Sequence, residues 1–251
     1  MNDEEIFLEK RLTDLARQAE RRMSYTYSPF LNLQEQDLFL RIKNTFPVSS
    51  ALYAPQELAE RKLAVFGSPD EFTVEPDLPV RVLRISPKSE HFAEDLSHRD
   101  YLGAVLNTGI DRGLTGDIII KGKYAWLFCL ESIADYLTNN LTRVRHTEVT
   151  VTEVETDIPE LRPDFEEIRF NVPSERLDAV VAAFTKLSRT KAQNLFSQKL
   201  VFVNSRSTED VSARLKEGDV LNVRGYGKAI YDGVDGASRK GRLYVVMRKY
   251  Q

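Results

Sequence analysis

The stretch KLSRTKAQNLFSQKLVFVN, from Lys186 to Asn204, changes from a helical pattern to a strand pattern. Ser188 is a residue type that is favoured at the N-cap of a helix. Ala192, Leu195 and Phe196 then recur at the spacing of a helix that buries one face. The residues LVFVN that follow are mostly apolar and β-branched, as is typical of a buried strand. The stretch therefore predicts a helix that leads directly into a strand.

The residues on either side of this stretch extend the same module. The segment SERLDAVVAAFTKL before it carries an apolar stripe at helical spacing, with Ser174 expected as its N-cap. The stripe consists of Leu177, Val180, Val181, Phe184 and Leu187. After the stretch, LKEGDVLNVRG and RLYVVMRK have strand patterns and are separated by glycine-rich turns. We therefore predict two helices followed by a group of strands.

Positive charge gathers at the start of the second predicted helix. Arg189 and Lys191 fall in its first turn, where the helix dipole favours anions over cations. The first backbone N–H groups of a helix also have no acceptor within the helix. A capping serine, exposed N–H groups and nearby cations together form a phosphate site, and Lys186 is close enough in sequence to join it. The alternative is that these cations pair with internal carboxylates and face inward, which would remove the site.

Charge is unevenly divided along a chain that is acidic as a whole. The 251 residues carry a formal net charge of −3. Residues 169–251 contain 16 Lys or Arg and 8 Asp or Glu, a balance of +8, which leaves −11 for residues 1–168. Such asymmetry favours a polyanion-binding module attached to an acidic body, and a difference in composition without function is the alternative. The single cysteine, Cys129, excludes a disulfide within the chain and is expected to be buried in a strand.

The first part of the chain shows two further patterns. Helical spacing predicts helices over residues 4–22, 33–46 and 55–67. From Pro79 to Glu155 the patterns follow the order strand, helix, strand, strand, helix, strand, which is that of ferredoxin-like and RRM-like domains. A connector that contains proline follows over residues 157–165.

These patterns together predict an α+β protein in three parts. The predicted parts are a helical N-terminal region over 1–75, a ferredoxin-like or RRM-like βαββαβ domain over 76–165, and a C-terminal domain over 169–251.

Four short motifs in the C-terminal part resemble the S4 RNA-binding domain. They are RLD at 176–178, LSRTKAQ at 187–193, VFVN at 201–204 and EGDVLNVRGYGK at 217–228. The resemblance implies an αL motif whose two-helix face, with the following β-hairpin, binds structured RNA. It also implies that Asp178 orients the arginines or the local backbone rather than touching RNA. The RNA-binding residues that we expect are Arg176, Lys186, Ser188, Arg189, Thr190, Lys191, Lys199, Asn204, Arg206, Arg224 and Lys228.

Two positions depart from the S4 pattern, and one segment is open to two interpretations. Lys199 and Ser205 stand where that family usually has glycine. Either Lys199 adopts a left-handed backbone at some cost, or the helix before it ends differently. The glycine-rich segment GYGKAIYDGVDGASRKGR, residues 225–242, is either a mobile basic loop that folds over RNA or an ordinary long hairpin.

A second resemblance covers most of the chain. The block HRDYLGAVLNTGIDRGLTGDIII, residues 98–120, together with the S4-like motifs, resembles the YlmH family of bacterial cell-division-cluster proteins. The resemblance implies a cytoplasmic, non-catalytic RNA-binding protein. Its expected partners are ribosomal RNA or tRNA on the large ribosomal subunit, in quality control of ribosomes that carry a stalled peptidyl-tRNA. A scaffold that binds division proteins is the alternative, and we expect a monomer.

No pattern in the sequence indicates catalysis, a cofactor or a metal site. His98 and Asp100 lie two positions apart on a predicted helix and so do not share a face. The sequence has no nucleotide-binding loop, no Cys/His metal spacing and no apolar run long enough to span a membrane. An RNA-modifying enzyme with an appended S4 domain is the remaining alternative. Tyr124, Trp126 and Phe128 alternate on one predicted strand, where they either form a base-stacking platform or face a core.

Overall fold

The computed structural model describes residues 3–56, 59–155 and 161–250. Helices and strands are mixed along these residues, which confirms the coarse α+β class. None of the helices over the described ranges is long and apolar enough to cross a lipid bilayer.

The chain divides into two compact units, Met1–Arg162 and Pro163–Gln251. The predicted parts 1–75 and 76–165 therefore fall almost wholly in the first unit, and the predicted part 169–251 falls in the second. The three-part division itself stays a prediction.

The first unit begins with helices and a small sheet. Its first elements are α1 (Asp3–Arg22), β1 (Thr26–Tyr27), α2 (Leu33–Ile42), β2 (Ser50–Tyr53), β3 (Leu63–Phe66) and α3 (Pro69–Phe72). The strands pair antiparallel in the order β1–β3–β2, so the region over 1–75 that was predicted as helical also contains a small sheet. At the start of α2, the Asn32 side chain accepts the N–H of Glu35, and the Glu35 carboxylate accepts the N–H of Asn32. This capping box fixes the predicted start of that helix.

The helix predicted over 55–67 is wrong for the described part of that range, since residues 57 and 58 lie outside the description. Leu63–Phe66 instead form β3, the central strand of the small sheet, and all four residues are buried. A short apolar run fits a buried strand and a buried helix equally well. Pairing with β1 on one edge and β2 on the other decides for the strand.

The rest of the first unit follows the element order that the sequence indicates. Its elements are β4 (Val80–Pro87), α4 (His98–Asn107), β5 (Thr115–Lys121), β6 (Tyr124–Leu130), α5 (Glu131–Asn140), β7 (Arg143–Val144) and β8 (Thr147–Val154). The strands form an antiparallel sheet in the order β5–β6–β4–β8–β7. Leu83 and Leu127 on this sheet pack in one core with Tyr101 of α4 and Leu137 of α5. Both helices therefore cover the same face of the sheet.

The opposite face of this sheet is covered in part by the N-terminal residues. Trp126 and Phe128 form a cluster with Phe30 and Leu63. Trp126 is 4% exposed and Phe128 is fully buried, whereas Tyr124 is only partly buried. The core alternative is therefore confirmed for Trp126 and Phe128, because neither ring is open to a stacked base.

The second unit contains two helices and a six-stranded sheet. Its elements are β9 (Phe165–Val172), α6 (Leu177–Thr185), α7 (Arg189–Ser197), β10 (Val201–Val203), β11 (Arg206–Ser207), β12 (Val220–Val223), β13 (Gly227–Ala237) and β14 (Leu243–Tyr250). The strand order is β11–β10–β12–β13–β14–β9, and every pairing is antiparallel. Val180 of α6 and Leu195 of α7 share one core with Val223 and Val245 of the sheet.

The start of α6 differs from the prediction. The helix begins at Leu177, and Ser174 is not its cap. The N–H of Leu177 donates to the carbonyl of Ala213 at 2.8 Å, and the N–H of Asp178 donates to that of Val211 at 3.0 Å. Because a later loop supplies acceptors to the first turn, the helix does not need a capping side chain.

The glycine-rich segment 225–242 forms an ordered turn region and most of a hairpin. β13 and β14 pair antiparallel, and the N–H of Ser238 donates to the carbonyl of Arg242 at 2.7 Å. The interpretation of this segment as an ordinary long hairpin is therefore confirmed.

Candidate nucleic-acid interface

Asp178 joins the two helices of the second unit. Its side chain is fully buried, and its carboxylate accepts hydrogen bonds from three side chains. Arg189 donates through Nε at 2.9 Å and through Nη2 at 3.0 Å, one bond to each carboxylate oxygen. Gln193 donates through Nε2 at 2.9 Å, and Arg176 donates through Nε at 3.3 Å. The two-nitrogen contact fixes the plane of the Arg189 guanidinium.

These hydrogen bonds also fix the charge of the carboxyl group. Burial by itself raises the pKa of Asp178, but the bonds from Arg189, Gln193 and Arg176 outweigh burial and lower the pKa from 3.8 to about 2. The hydrogen bond to Asp178 in turn raises the pKa of the Arg189 guanidinium. At neutral pH the group therefore consists of two cations and one anion.

The two arginines are tied to Asp178 without being buried. The Arg176 side chain is 41% exposed and the Arg189 side chain is 49% exposed. Nη1 of Arg189 and both Nη atoms of Arg176 have no hydrogen-bond acceptor among the described residues. One part of the alternative therefore holds, because both arginines pair with the internal carboxylate of Asp178. The other part does not hold, because neither arginine faces inward and each keeps exposed N–H donors.

The first turn of α7 adds a helix N-terminus to these cations. Oγ of Ser188 accepts the N–H of Lys191 at 3.4 Å, which confirms Ser188 as the N-cap. Arg189, Thr190 and Lys191 are all exposed. Lys186 ends α6 with a left-handed backbone, at a φ of 58°, and its side chain is also exposed. Within the described part of the chain, neither Lys186 nor Lys191 forms an ion pair.

We call this set the α6–α7 surface. It consists of Arg176, Lys186, Ser188, Arg189, Thr190 and Lys191.

Three other predicted RNA-binding residues lie on the strands and turns that follow α7. Lys199 is exposed, and its Nζ lies 3.9 Å from a carboxylate oxygen of Glu209. Arg206 is exposed on β11, and Arg224 is exposed directly after β12. Their contact with RNA stays a prediction.

The two remaining predicted residues have polar atoms engaged within the chain. Nδ2 of Asn204 donates to Asp219 at 2.8 Å, and Oδ1 of Asn204 accepts the N–H of Val220 at 2.9 Å. Nζ of Lys228 lies 4.4 Å from the centre of the Tyr250 ring. The Asn204 side chain therefore stabilises the turn before β12, and an RNA contact from either residue stays a prediction.

The positions where serine and lysine replace glycine keep a backbone that suits glycine. Asn204 and Ser205 join β10 to β11 as a two-residue turn, with φ values of 51° and 66°. Two successive positive φ values are typical of the tight hairpin turn that favours Asn-Gly. Lys199 has a φ of 55°, so the expectation of a left-handed backbone there is confirmed.

Three residues of the first unit that could suggest chemistry, Asp100, His98 and Cys129, have environments that explain their pKa shifts. Oδ2 of Asp100 accepts the N–H of Ser97 at 2.9 Å and its hydroxyl at 2.6 Å, and these bonds lower the pKa of Asp100. Burial and then the charge of Arg112 lower the pKa of His98. Cys129 is fully buried in β6, as expected, and burial raises its pKa to about 12. Across the described ranges, no group of three or more His, Cys, Asp or Glu side chains is placed to hold a metal ion.

Sequence reasoning missed one residue of the Asp178 cluster. Gln193 donates to Asp178, and it follows Arg189 by four positions on α7. Residues at this spacing share a helix face, so the placement of Gln193 was available from the sequence. Its hydrogen bond to Asp178 could not be predicted, because an exposed glutamine is an ordinary surface residue.

Two comparisons with known proteins match this chain, one over part of the first unit and one over nearly the whole length. A family model described as "Putative RNA-binding domain in YlmH" matches residues 75–157. A protein of Bacillus subtilis (strain 168) named "Ribosome-associated protein quality control protein P2" is 28% identical over 248 residues, which cover 98% of this chain and 95% of that protein.

A solved structure is also similar to part of the chain. It is named "Cell division protein ylmH from Streptococcus pneumoniae", and the match has a TM-score of 0.49 and 19% identity. It covers 62% of this chain and 93% of that chain. The family-model match over residues 75–157 and the similarity to the Bacillus subtilis protein along nearly the whole chain support the resemblance to the YlmH family that the sequence motifs indicate.

Proposed function

We propose that this protein binds RNA through the α6–α7 surface. The observation that carries the proposal is the pair of half-exposed guanidinium groups that the buried Asp178 carboxylate holds beside the start of α7. A guanidinium that is fixed in one plane is suited to phosphate oxygens, since little freedom remains to be lost on binding. The N-terminal N–H groups of α7 and the exposed Lys191 favour the same ligand.

The charge of the α6–α7 surface favours a polyanion over a single small anion. Asp178 cancels one of the two arginine charges, so Lys186 and Lys191 bring the local balance to +3. Residues 169–251 as a whole carry a balance of +8. A nucleic-acid backbone releases counterions when several phosphates are neutralised together, which makes such a distributed surface effective.

The S4-like motifs and the names of the relatives support a ribosomal target. We assign the second unit to the S4 type, and we assign ribosomal RNA or tRNA on the large subunit as its ligand. The Bacillus subtilis relative is named as a ribosome-associated quality control protein, and the same process is our proposal for this chain. In this proposal the protein is a cytoplasmic binding protein without catalytic activity. The contact with division proteins stays a prediction.

A binding assay with matched charge removal tests the proposal. Purified protein is titrated with ribosomal RNA extracted from large ribosomal subunits, in a series of salt concentrations. The test variant Arg189→Gln with Lys191→Gln removes two positive charges from the α6–α7 surface. The control variant Lys10→Gln with Arg17→Gln removes two exposed positive charges from α1 in the first unit.

We expect the test variant to lose affinity at least tenfold and the control variant to bind like the wild type. The slope of log K against log salt should become shallower by about 1.5 in the test variant, because each lost phosphate contact contributes about 0.7 to 0.9. Circular dichroism of all variants checks that the fold is retained. Equal affinity of the two variants would contradict the proposal.

A further inference from the structure

The tip of the β13–β14 hairpin carries three exposed cations. Arg239, Lys240 and Arg242 fall within the turn and its flank, and we call them the basic tip. The turn is ordered by its own hydrogen bonds: the N–H of Gly241 donates to the carbonyl of Ser238 at 2.8 Å, and the N–H of Arg242 donates to Oγ of Ser238 at 3.0 Å. The three cations are therefore presented by a defined turn.

The carboxylates nearest in sequence to the basic tip are engaged with other cations. Asp235 pairs with Arg169 at 2.9 Å, and Asp232 pairs with Arg248 at 3.0 Å. In the part of the chain that the structure describes, no ion pair joins a residue of the basic tip to a carboxylate. The positive charge of the tip is thus not neutralised by its own hairpin.

The hairpin extends beyond the strand beside it. β12 pairs with β13 only as far as Ile230, and a further pair of backbone bonds joins Tyr231 to the turn before β12. From Asp232 onward, the pairing of β13 among the described residues is with β14 alone. The basic tip therefore stands at the end of a three-stranded part of the sheet, β13–β14–β9, in which β9 pairs with β14 up to Leu243.

The end of the hairpin that carries the basic tip lies close in the chain to the start of α6. Leu243, directly after the tip, pairs with Val172 at the end of β9, and Nη2 of Arg242 donates to the carbonyl of Asn171 at 3.0 Å. Arg176 follows Val172 by four residues, which span at most about 14 Å even when fully extended. The basic tip and the Arg176 end of the α6–α7 surface therefore belong to the same end of the second unit.

We propose that the basic tip is a second phosphate-binding element that contacts a different backbone segment of the same folded RNA. This inference rests on the proposed function and adds three residues to it that the S4-like motifs do not include. A folded RNA is the favoured ligand because it places two backbone segments side by side. A surface with two separate groups of cations then binds both segments at once.

The experiment uses the full-length protein and ribosomal RNA extracted from large subunits as the probe. The test variant replaces Arg239, Lys240 and Arg242 by glutamine. A second variant, Arg239→Gln with Lys240→Gln, keeps the bond from Arg242 to Asn171, so that a change in hairpin structure is separated from a loss of charge. The control variant replaces Lys10, Arg11 and Arg17 of α1 by glutamine, which removes the same number of exposed charges.

We expect the slope of log K against log salt to become shallower by about 2 in the triple tip variant and by more than 1 in the double tip variant. The control should keep the wild-type slope. If both tip variants keep the slope and affinity of the wild type while Arg189→Gln with Lys191→Gln loses binding, this inference is wrong and the proposed function stands. If the wild type itself does not bind, the proposed function is wrong and this inference falls with it.

Discussion

Replacement of Asp178 by asparagine should destabilise the second unit and, at the same time, weaken RNA binding. The folded state lowers the pKa of this carboxyl from 3.8 to about 2, which corresponds to roughly 2 to 3 kcal/mol at neutral pH. The two arginines that bind it are 41% and 49% exposed, so water screens part of this energy. We therefore expect Asp178→Asn to lower the free energy of unfolding by about 1 to 2 kcal/mol.

Hydrogen exchange of the α6 and α7 amides measures this loss within the second unit. A decrease of about 1 to 2 kcal/mol should accelerate their exchange about 5 to 30 fold at neutral pH. The control is Asp232→Asn, which breaks a surface pair with Arg248 and should change stability by less than about 1 kcal/mol. Equal protection of α6 and α7 in the wild type and Asp178→Asn would refute the reasoning.

The pH dependence of the Asp178 contribution has a definite sign. Because its pKa is lowered on folding, the contribution is fully present above about pH 4 and is lost as the pH falls through 2. In urea unfolding followed by circular dichroism, the difference between wild type and Asp178→Asn should be constant from pH 7 to 5 and shrink below pH 4. A difference that stays constant down to pH 2 would mean that the carboxylate is not the origin of the effect.

The RNA affinity of the same variant distinguishes the effect of arginine orientation from the effect of net charge. Asp178→Asn raises the net charge of the α6–α7 surface by one, so a model in which only charge matters predicts tighter binding. If Asp178 instead fixes the guanidinium planes of Arg176 and Arg189, the variant binds more weakly despite its added positive charge. Tighter binding would contradict the positioning of the arginines by Asp178.

Three other predictions concern single side chains. Lys199→Gly should raise the free energy of unfolding by about 0.5 to 1 kcal/mol in urea titrations, because glycine adopts the left-handed backbone at this position without strain; a decrease would show that the side chain contributes more than the strain costs. Cys129 should not react with a thiol reagent until the protein unfolds, since it is buried and its pKa is raised to about 12; stoichiometric reaction of the folded protein would contradict its placement. Leu63→Ala should cost about 2 to 5 kcal/mol and shift the emission of the single tryptophan, Trp126, to longer wavelength, and an unchanged spectrum would argue against their shared core.

Most helices, and the order of strands and helices along the chain from β4 to β8, could be predicted because their patterns are local. α7 begins and ends almost where its cap and apolar spacing indicate, and the alternation of strands and helices from β4 to β8 follows the sequence. The sequence pattern predicts a helix where β3 forms, because a run of four consecutive buried residues has no hydrophobic periodicity that distinguishes a strand from a helix. Its identity depends on pairing with β1 and β2, which are distant in sequence.

Two further features depend on contacts that no local pattern contains. β9 begins at Phe165, the last residue of the expected connector, and no strand was predicted over its length; it becomes a strand through its full-length pairing with β14. The start of α6 is set by the carbonyls of Val211 and Ala213, which come more than thirty residues later, rather than by Ser174.

Only part of the candidate site could be predicted from the sequence. Ser188, Arg189 and Lys191 could be predicted from the physics of a helix N-terminus. The shared binding of Arg176, Arg189 and Gln193 by one buried carboxylate could not be predicted, because it depends on the packing of α6 against α7. Asn204 shows the opposite case, since a residue expected to contact RNA uses its side chain to stabilise a turn.

Sedimentation through a density gradient tests the central claim most directly. Wild-type protein, Arg189→Gln with Lys191→Gln, and the control Lys10→Gln with Arg17→Gln are each mixed with purified ribosomes and separated subunits. We predict that the wild type and the control sediment with the large subunit and that the first variant stays at the top of the gradient. Sedimentation of all three proteins with the large subunit would contradict the account, as would the absence of the wild type from every ribosomal fraction.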